Sequence, residues 1–245
     1  MSTIAPVCAP CPRCGLEVVG EVVLVGNLDR RGAFEQRVLD RTLNRLRCTG
    51  CGLEQVASRS LAMFSFDKKR WLICYPAWAE RHWADLARAV DQGFHRNRCA
   101  MPTWMRGSPS DWKVRVTFGH EQLREKFVIW AAALDEADVE TAKLAMIARL
   151  GAPALRGILL EAAQPDSLVW RIGDQLTEGP RGDLGVASPE GCPRFELFAD
   201  AYVQHRRWIV APSGADPIQF DLDGTLYSHA GGAALRTPIV DLDSP

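Results

Sequence analysis

Two copies of the pattern Cys-x-x-Cys-Gly constrain the fold of this chain more than any other feature. They span Cys11–Gly15 and Cys48–Gly52. Two thiols three residues apart can turn onto one ion, and the glycine that follows allows the chain to reverse its direction. Two such pairs complete a tetrahedral site of four sulfurs, a donor set that suits Zn²⁺. The predicted metal ligands are Cys11, Cys14, Cys48 and Cys51.

This predicted site is closed, because the protein supplies all four ligands and leaves no position for water or substrate. We therefore expect Zn²⁺ as a structural cofactor whose binding energy stabilises the fold of this segment. The alternatives are a redox dithiol, unrelated buried cysteines and an iron centre. A redox Cys-x-x-Cys acts as a single pair at the start of a helix, whereas here two pairs flank a segment rich in strand-forming residues.

Cys8 leaves a second ligand set open, because Cys8 and Cys11 also have Cys-x-x-Cys spacing. If these two were ligands, Cys14 would be spare. Gly15 follows Cys14 in the way that Gly52 follows Cys51, and this symmetry favours Cys11 and Cys14.

The distribution of cysteines also indicates the compartment. Of the eight cysteines most cluster near the N-terminus, unlike a disulfide framework, so we expect a reducing environment and a cytoplasmic protein. The N-terminus lacks the pattern of a signal peptide. The longest apolar run, Phe127–Leu134, is far shorter than the roughly 20 residues that cross a bilayer, and no membrane span is predicted.

The periodicity along the chain predicts an α+β fold. A zinc-ribbon-like β module is expected over residues 8–76, with strand character at 16–28, a helix at 29–43, a short strand at 42–48, and a hairpin of Gln55–Phe66 with Arg70–Tyr75. An α+β portion with antiparallel strands and two or three helices is expected over residues 77–230, and a flexible tail over residues 231–245.

Within the second portion the spacing of Trp78, His82, Leu86, Val90 and Phe94 predicts a helix over 77–95, with His82 in the core. A linker or long loop is expected at 100–111, a strand at 112–118, and two helices, one through Leu123 and Trp130 and one from Asp135. A second hairpin is expected at 155–161 and 167–172, a mobile loop at 173–193, and a helix in the first half of 195–210.

The chain resembles the CpXC domain family, a group of uncharacterised bacterial proteins. The resemblance rests on Cys11–Gly15, the strand and short helix that follow, Cys48–Gly52 and the aromatic strand Trp71–Pro76, and it extends through residues 115–126 to about residue 150. Thr49 stands where the family pattern has proline, a change that removes rigidity but no ligand. The resemblance supports the structural zinc and implies no particular activity.

Phe220–Leu226 matches the Asp-x-Asp-Gly-Thr signature of haloacid-dehalogenase-like phosphotransferases, with Asp221 in the position of the nucleophile. Those enzymes need a downstream lysine and a parallel sheet, yet twenty residues follow Thr225 and no lysine follows Lys143. The same residues are also typical of a β-hairpin, because Asp223-Gly224 is a favoured two-residue turn between alternating apolar residues. We favour the hairpin.

Two groups of charged residues suggest further functions. Cations dominate one region (Arg30, Arg31, Arg37, Arg41, Arg45, Arg47, Lys68, Lys69, Arg70), although acidic residues interleave with them. The second group comprises Glu125, Lys126, Asp135, Asp138, Glu140 and Lys143. Both are predicted to be solvated surfaces rather than a phosphate-binding tip or an acid–base cluster.

These observations favour a zinc-stabilised cytoplasmic protein without catalysis that binds or scaffolds a protein partner of unknown identity. A nucleic-acid-binding zinc ribbon, with Lys68, Lys69 and Arg70 on phosphate, is the first alternative. An enzyme with its site in the C-terminal portion is the second.

Overall fold

A mixed five-stranded sheet forms the centre of Met1–Phe127, the first of two units into which the chain divides; the second is Val128–Pro245. The computed structural model describes residues 2–30, 33–136, 138–139, 142–143, 158–172, 174–180, 195–198, 207–212, 218–221, 226–228 and 237–240. The predicted α+β class is confirmed.

The strands of the first unit are β1 (Thr3–Pro10), β2 (Glu17–Asn27), β3 (Arg45–Arg47), β4 (Glu54–Val56), β5 (Leu61–Ser65), β6 (Arg70–Tyr75) and β7 (Lys113–Phe118). The helices that begin in this unit are α1 (Ala33–Leu39), α2 (Trp83–Ala100), α3 (Thr103–Arg106) and α4 (Gly119–Ala131), with 3₁₀ turns at Ala77–His82 and Pro109–Asp111; α4 continues past the boundary at Phe127. The main sheet has the order β1-β2-β5-β6-β7, and β3 and β4 form a separate antiparallel pair.

The pairing in the main sheet is partly parallel. β1–β2 and β5–β6 are antiparallel, and the predicted hairpin at β5–β6 is confirmed. β2–β5 and β6–β7 are parallel. The sequence predicted antiparallel strands in the second portion, to which β7 was assigned, but α2 lies between β6 and β7 and carries the chain back to the end of the sheet where β6 began. The next strand must then run parallel.

Helices pack on the two faces of this sheet. On one face the pairs Trp71↔Val114 and Ile73↔Val116 meet α2 in an apolar core that includes Val90 and Phe94. On the other face, Phe34 of α1 and Met63 of β5 both approach Gly26. α4 is joined to the end of α1, since Arg124 Nε donates to Leu39 O at 2.9 Å and Arg41 pairs with Glu121 at 3.3 Å.

The helix predicted over 77–95 begins instead with the 3₁₀ turn Ala77–His82. This turn has about three residues per turn, so it rotates the apolar positions away from the face expected of an α-helix. Trp78 is 66% exposed and His82 is also exposed. The prediction that His82 lies in the core is wrong.

The segment expected to be a linker, 100–111, is a hydrogen-bonded corner. Trp112 Nε1 donates to Arg106 O at 2.9 Å, and Lys69 Nζ donates to Met105 O at 2.7 Å. Lys69 also lies 5.3 Å from the centre of the Trp112 ring, a cation–π contact. These contacts attach the corner to the starts of β6 and β7.

The described residues of the second unit form two antiparallel sheets. The first has the order β10-β9-β8, and the second runs from β11 to β15 in sequence order. Their strands are β8 (Ile158–Ala163), β9 (Ser167–Ile172), β10 (Gln175–Pro180), β11 (Phe195–Phe198), β12 (Arg207–Pro212), β13 (Ile218–Asp221), β14 (Leu226–Ser228) and β15 (Thr237–Val240).

Three predictions in this unit have clear outcomes. The hairpin β8–β9 is confirmed, and so is the hairpin at the phosphotransferase-like motif, since β13 and β14 pair antiparallel with Phe220 opposite Leu226; residues 222–225 lie outside the described residues. The helix expected from Phe195 is wrong, because Phe195–Phe198 pairs with β12. β10 occupies the start of the predicted mobile loop, and residues 181–193 lie outside the described residues.

The division of the chain differs from the predicted boundary after residue 76. β7 pairs with β6, so a strand assigned to the second portion belongs to the sheet of the first unit. Of the predicted flexible tail over 231–245, Thr237–Val240 is a strand and the remaining residues lie outside those described. No helix among the described residues has the length and apolarity needed to cross a lipid bilayer.

Candidate metal centre

The four predicted thiols meet at one point beside the start of β2. The Sγ atoms of Cys11, Cys14, Cys48 and Cys51 all lie within 4.8 Å of one another. Cys11 and Cys51 are 3.6 Å apart, as are Cys14 and Cys48. Sulfurs at the corners of a Zn–S tetrahedron with bonds of about 2.3 Å are separated by roughly 3.8 Å. The donor set and its spacing therefore fit a tetrahedral ion.

The two Cys-x-x-Cys-Gly segments have matching backbone geometry. Cys11 N donates to Leu16 O and Cys48 N donates to Leu53 O, both at 2.8 Å. Gly15 N donates to Cys11 O and Gly52 N to Cys48 O, both at 2.9 Å. The two glycines have φ of 74° and 71°, in the left-handed region that favours glycine. The glycine that follows each cysteine pair in the sequence is therefore explained by the positive φ that the backbone adopts at that position.

Asn44 connects the second cysteine pair to β2. Its Oδ1 accepts from Val23 N at 2.7 Å, and its Nδ2 donates to Val23 O at 2.9 Å. Asn44 is 1% exposed and has φ of 54°, which asparagine tolerates better than most residues. Sequence reasoning missed this residue, because a bridge between residues 21 positions apart has no local signature.

A small apolar core lies under the four thiols. It contains buried Val18, Val22, Leu46 and Ala57 together with Cys11 and Cys48. Cys51 is half-buried, whereas Cys14 is exposed. Two of the four cysteines are therefore enclosed by the protein and one is exposed, so the candidate site lies at the edge of this core.

The backbone makes the first thiol of each pair acidic. The N–H of Cys14 donates to Cys11 and lowers the pKa of Cys11 to about 6. The N–H of Cys51 lowers the pKa of Cys48 in the same way. The N–H of Leu16 lowers the pKa of Cys14. Hydrogen bonds with the neighbouring sulfurs, led by Cys48, outweigh this effect and raise the pKa of Cys14 to about 12. Thiolates this close repel one another, and a bound dication offsets that repulsion.

Cys8 is not among the thiols that come together. It lies on β1 with its side chain exposed, and a hydrogen bond with Glu17 raises its pKa. Of the two ligand sets left open by the spacing, the structure brings together the one with Cys11 and Cys14.

The proposed phosphate-binding tip is already engaged by the protein. Lys68 Nζ lies 2.9 Å from Glu35 Oε1, and Arg70 lies 3.7 Å from the same oxygen. Lys69 is held by Met105 O, as described above. Only Lys68 of these three keeps half of its side chain in solvent, so the tip is less available than its sequence suggests.

The charged residues near 125–143 are less solvated than predicted. Glu125, Lys126 and Lys143 are each about 95% buried. The prediction of a solvated surface assumed that these residues lie on helix faces exposed to solvent, whereas in the structure the protein covers them. At the start of the helix predicted from Asp135, Asp138 N donates to Asp135 Oδ1 at 3.4 Å, and burial raises the pKa of Asp138. Glu140 lies outside the described residues.

Comparison with known proteins agrees with this geometry. Residues 9–143, more than half of the chain, match the profile of a family described as CpXC protein. The matched region includes all four thiols of the metal centre. No curated protein and no solved structure matches the chain.

Proposed function

The chain belongs to the CpXC protein family, and we propose that it is a zinc-stabilised cytoplasmic protein that binds another protein without catalysing a reaction. The observation that carries the proposal is the closed set of four thiols within 4.8 Å. Four thiolates occupy every position of a tetrahedral Zn²⁺ ion, so the ion contributes to folding and not to chemistry.

The state of the cysteines supports the cytoplasmic part of the proposal. Among the described residues none of the seven cysteines forms a disulfide. Free thiols persist in compartments that glutathione and thioredoxin keep reduced.

Metal analysis of the purified chain tests the site. We expect one zinc per chain, lost from Cys14→Ser and from Cys51→Ser. Cys8→Ser is the matched control, because it removes a thiol just outside the cluster and should keep full zinc. Retention of one zinc by both Cys14→Ser and Cys51→Ser would contradict the ligand assignment, and iron in place of zinc would contradict the identity of the metal.

The binding role is tested by affinity capture from the native host with the zinc-loaded protein. We expect a specific protein that is retained by the wild type and by Cys99→Ser, which removes an exposed thiol outside the cluster, and that is lost when the metal is removed with a chelator. A turnover that one point mutation abolishes would show that the protein is an enzyme and would overturn the proposal.

The nucleic-acid-binding alternative is the weaker one, because its three cations are paired with Glu35 or held by a backbone carbonyl. To bind phosphate, these three side chains would have to break their contacts with Glu35 and with the carbonyl of Met105. If this alternative were correct, the zinc-loaded protein would shift single- or double-stranded DNA at low salt, and replacing Lys68 by Glu would weaken the shift.

A further inference from the structure

One face of the β1–β2 hairpin is exposed from Glu17 to Glu21 on β2, and it ends at Val23, the next residue of the same row, which is 2% exposed. Register places Cys8 opposite Val19, Pro6 opposite Glu21, and Pro10 opposite Glu17, with Ile4 next in the same row. We call this surface the outer face; it comprises Ile4, Pro6, Cys8, Pro10, Glu17, Val19 and Glu21, all of which are exposed. Val19 is 70% exposed and Ile4 is 54% exposed. The outer face is therefore an apolar stripe in contact with solvent.

The inner face of the same hairpin, by contrast, is buried against the small apolar core. Val18 and Val22, which alternate with the outer residues along β2, are each 2% exposed and pack on Leu46 and Ala57. A strand with one buried face usually carries polar residues on the other. Val19 breaks that rule at the centre of the outer face.

Two carboxylates flank this apolar centre. Glu17 and Glu21 lie two residues before and after Val19 on the same face, and neither forms an ion pair with a described residue. Four residues along a strand span roughly 13 Å. The outer face thus presents negative, apolar and negative groups at regular spacing, with no cation of its own.

The free edge of β1 is unsuited to the addition of another strand. Both backbone groups of Val23 bind Asn44, so Val23 and its partner Ile4 do not exchange hydrogen bonds. By alternation the backbone groups of residues 4, 6, 8 and 10 all point away from β2. Pro6 and Pro10 lack the N–H that a pairing strand would need. A partner must therefore bind the outer face and not the edge.

The charges also restrict which molecule can cover this face. A second copy of the chain related by two-fold symmetry would bring carboxylates against carboxylates, and a phosphate backbone would meet the same repulsion. Complementarity requires cations around an apolar group. An extended polypeptide with Lys or Arg at positions i and i+4 and an aliphatic residue at i+2 supplies that pattern on one face.

We propose that the outer face of the β1–β2 hairpin is a docking site for an extended basic segment of a protein partner, with an aliphatic side chain against Val19 and cations on Glu17 and Glu21. The inference rests on the proposed binding function and adds its location and the chemistry of the partner.

The test uses a fluorescein-labelled peptide, Lys-Thr-Val-Thr-Lys-Thr-Val-Thr-Lys, titrated with the zinc-loaded full chain and followed by anisotropy. We expect saturable binding that weakens with salt. The combined variant Glu17→Gln with Glu21→Gln should bind about fivefold more weakly, because it removes two exposed ion pairs. Val19→Ser should bind about tenfold more weakly through lost apolar contact. Peptides with Ser for Val, or Glu for Lys, should bind poorly.

The matched control is Asp67→Asn with Asp85→Asn, which changes the net charge equally at exposed positions that are not part of the outer face. This control should bind like the wild type. No binding of the peptide, or equal weakening by the control, would overturn the proposal. Equal host-partner capture by the wild type and by Glu17→Gln/Val19→Ser/Glu21→Gln would overturn the docking site and leave the proposed function standing. Zinc content should be unchanged in every variant, which separates docking from the metal centre.

Discussion

Replacing Asn44 should loosen the metal centre without touching a ligand. Asn44→Ala leaves the N–H and C=O of Val23 without their partners, and Val23 is 2% exposed. Each unpaired buried group costs about 1–3 kcal/mol. An alanine at φ of 54° adds about 1 kcal/mol of backbone strain. The local stability of β2 should therefore fall by roughly 3–7 kcal/mol.

Hydrogen exchange is the direct assay, because the affected amide is itself a donor in the bridge. We expect amides in the 17–28 segment to exchange at least 100-fold faster, since about 1.4 kcal/mol corresponds to a factor of ten. Zinc should pass to a competing chelator sooner, because the second cysteine pair is no longer anchored to β2.

Asn44→Gly separates the two contributions to this cost. Glycine adopts positive φ without strain but supplies no side-chain bond, so this variant should recover about 1 kcal/mol of the loss and no more. If Asn44→Ala changed exchange in β2 by less than threefold, or if Asn44→Gly restored full protection, the bridge to Val23 would not be what positions the second pair.

Three further predictions concern the two glycines of the metal centre, Trp112 in the apolar core beside α2, and Lys68 on the surface. Gly15→Ala and Gly52→Ala should each cost about 1 kcal/mol from backbone strain alone, because a new Cβ meets nothing within 4 Å at Gly15 and only Arg47 at 4.0 Å at Gly52; urea denaturation of the zinc-loaded variants checks this, and a loss above about 3 kcal/mol would contradict it. Trp112→Ala should cost about 3–5 kcal/mol, since Trp112 is 1% exposed and contacts Phe66 and Phe94; a shift in the denaturation midpoint equivalent to less than about 1 kcal/mol would refute the packing argument. Lys68→Gln should stay within about 1 kcal/mol of the wild type in the same assay, because its pair with Glu35 is half in solvent.

Sequence reasoning succeeded where short spacing carries the information. The cysteine pairs and their glycines predicted the meeting of four thiols, since each pair needs only a local turn and each glycine a positive φ. The β5–β6 and β13–β14 hairpins were equally local, with a turn between two apolar runs.

Sequence reasoning failed where a distant contact decides the outcome. The periodicity at Trp78 and His82 assumed 3.6 residues per turn, but a 3₁₀ turn exposes both residues. Glu125 and Lys126 read as solvated helix residues, although α4 is enclosed where they lie. Residues 195–198 form a strand and not a helix, because they pair with the neighbouring strand β12.

By itself the sequence determined which atoms can hold a metal, because ligand type and spacing are local properties of Cys11, Cys14, Cys48 and Cys51. Tertiary structure decided how those atoms are positioned and what surrounds them. Asn44 reaches Val23 across 21 residues, β7 pairs with β6 through a helical crossover, and β1 completes a face with Val19 at its centre. Each of these is a long-range pairing, whose free energy depends on groups that the local sequence does not contain.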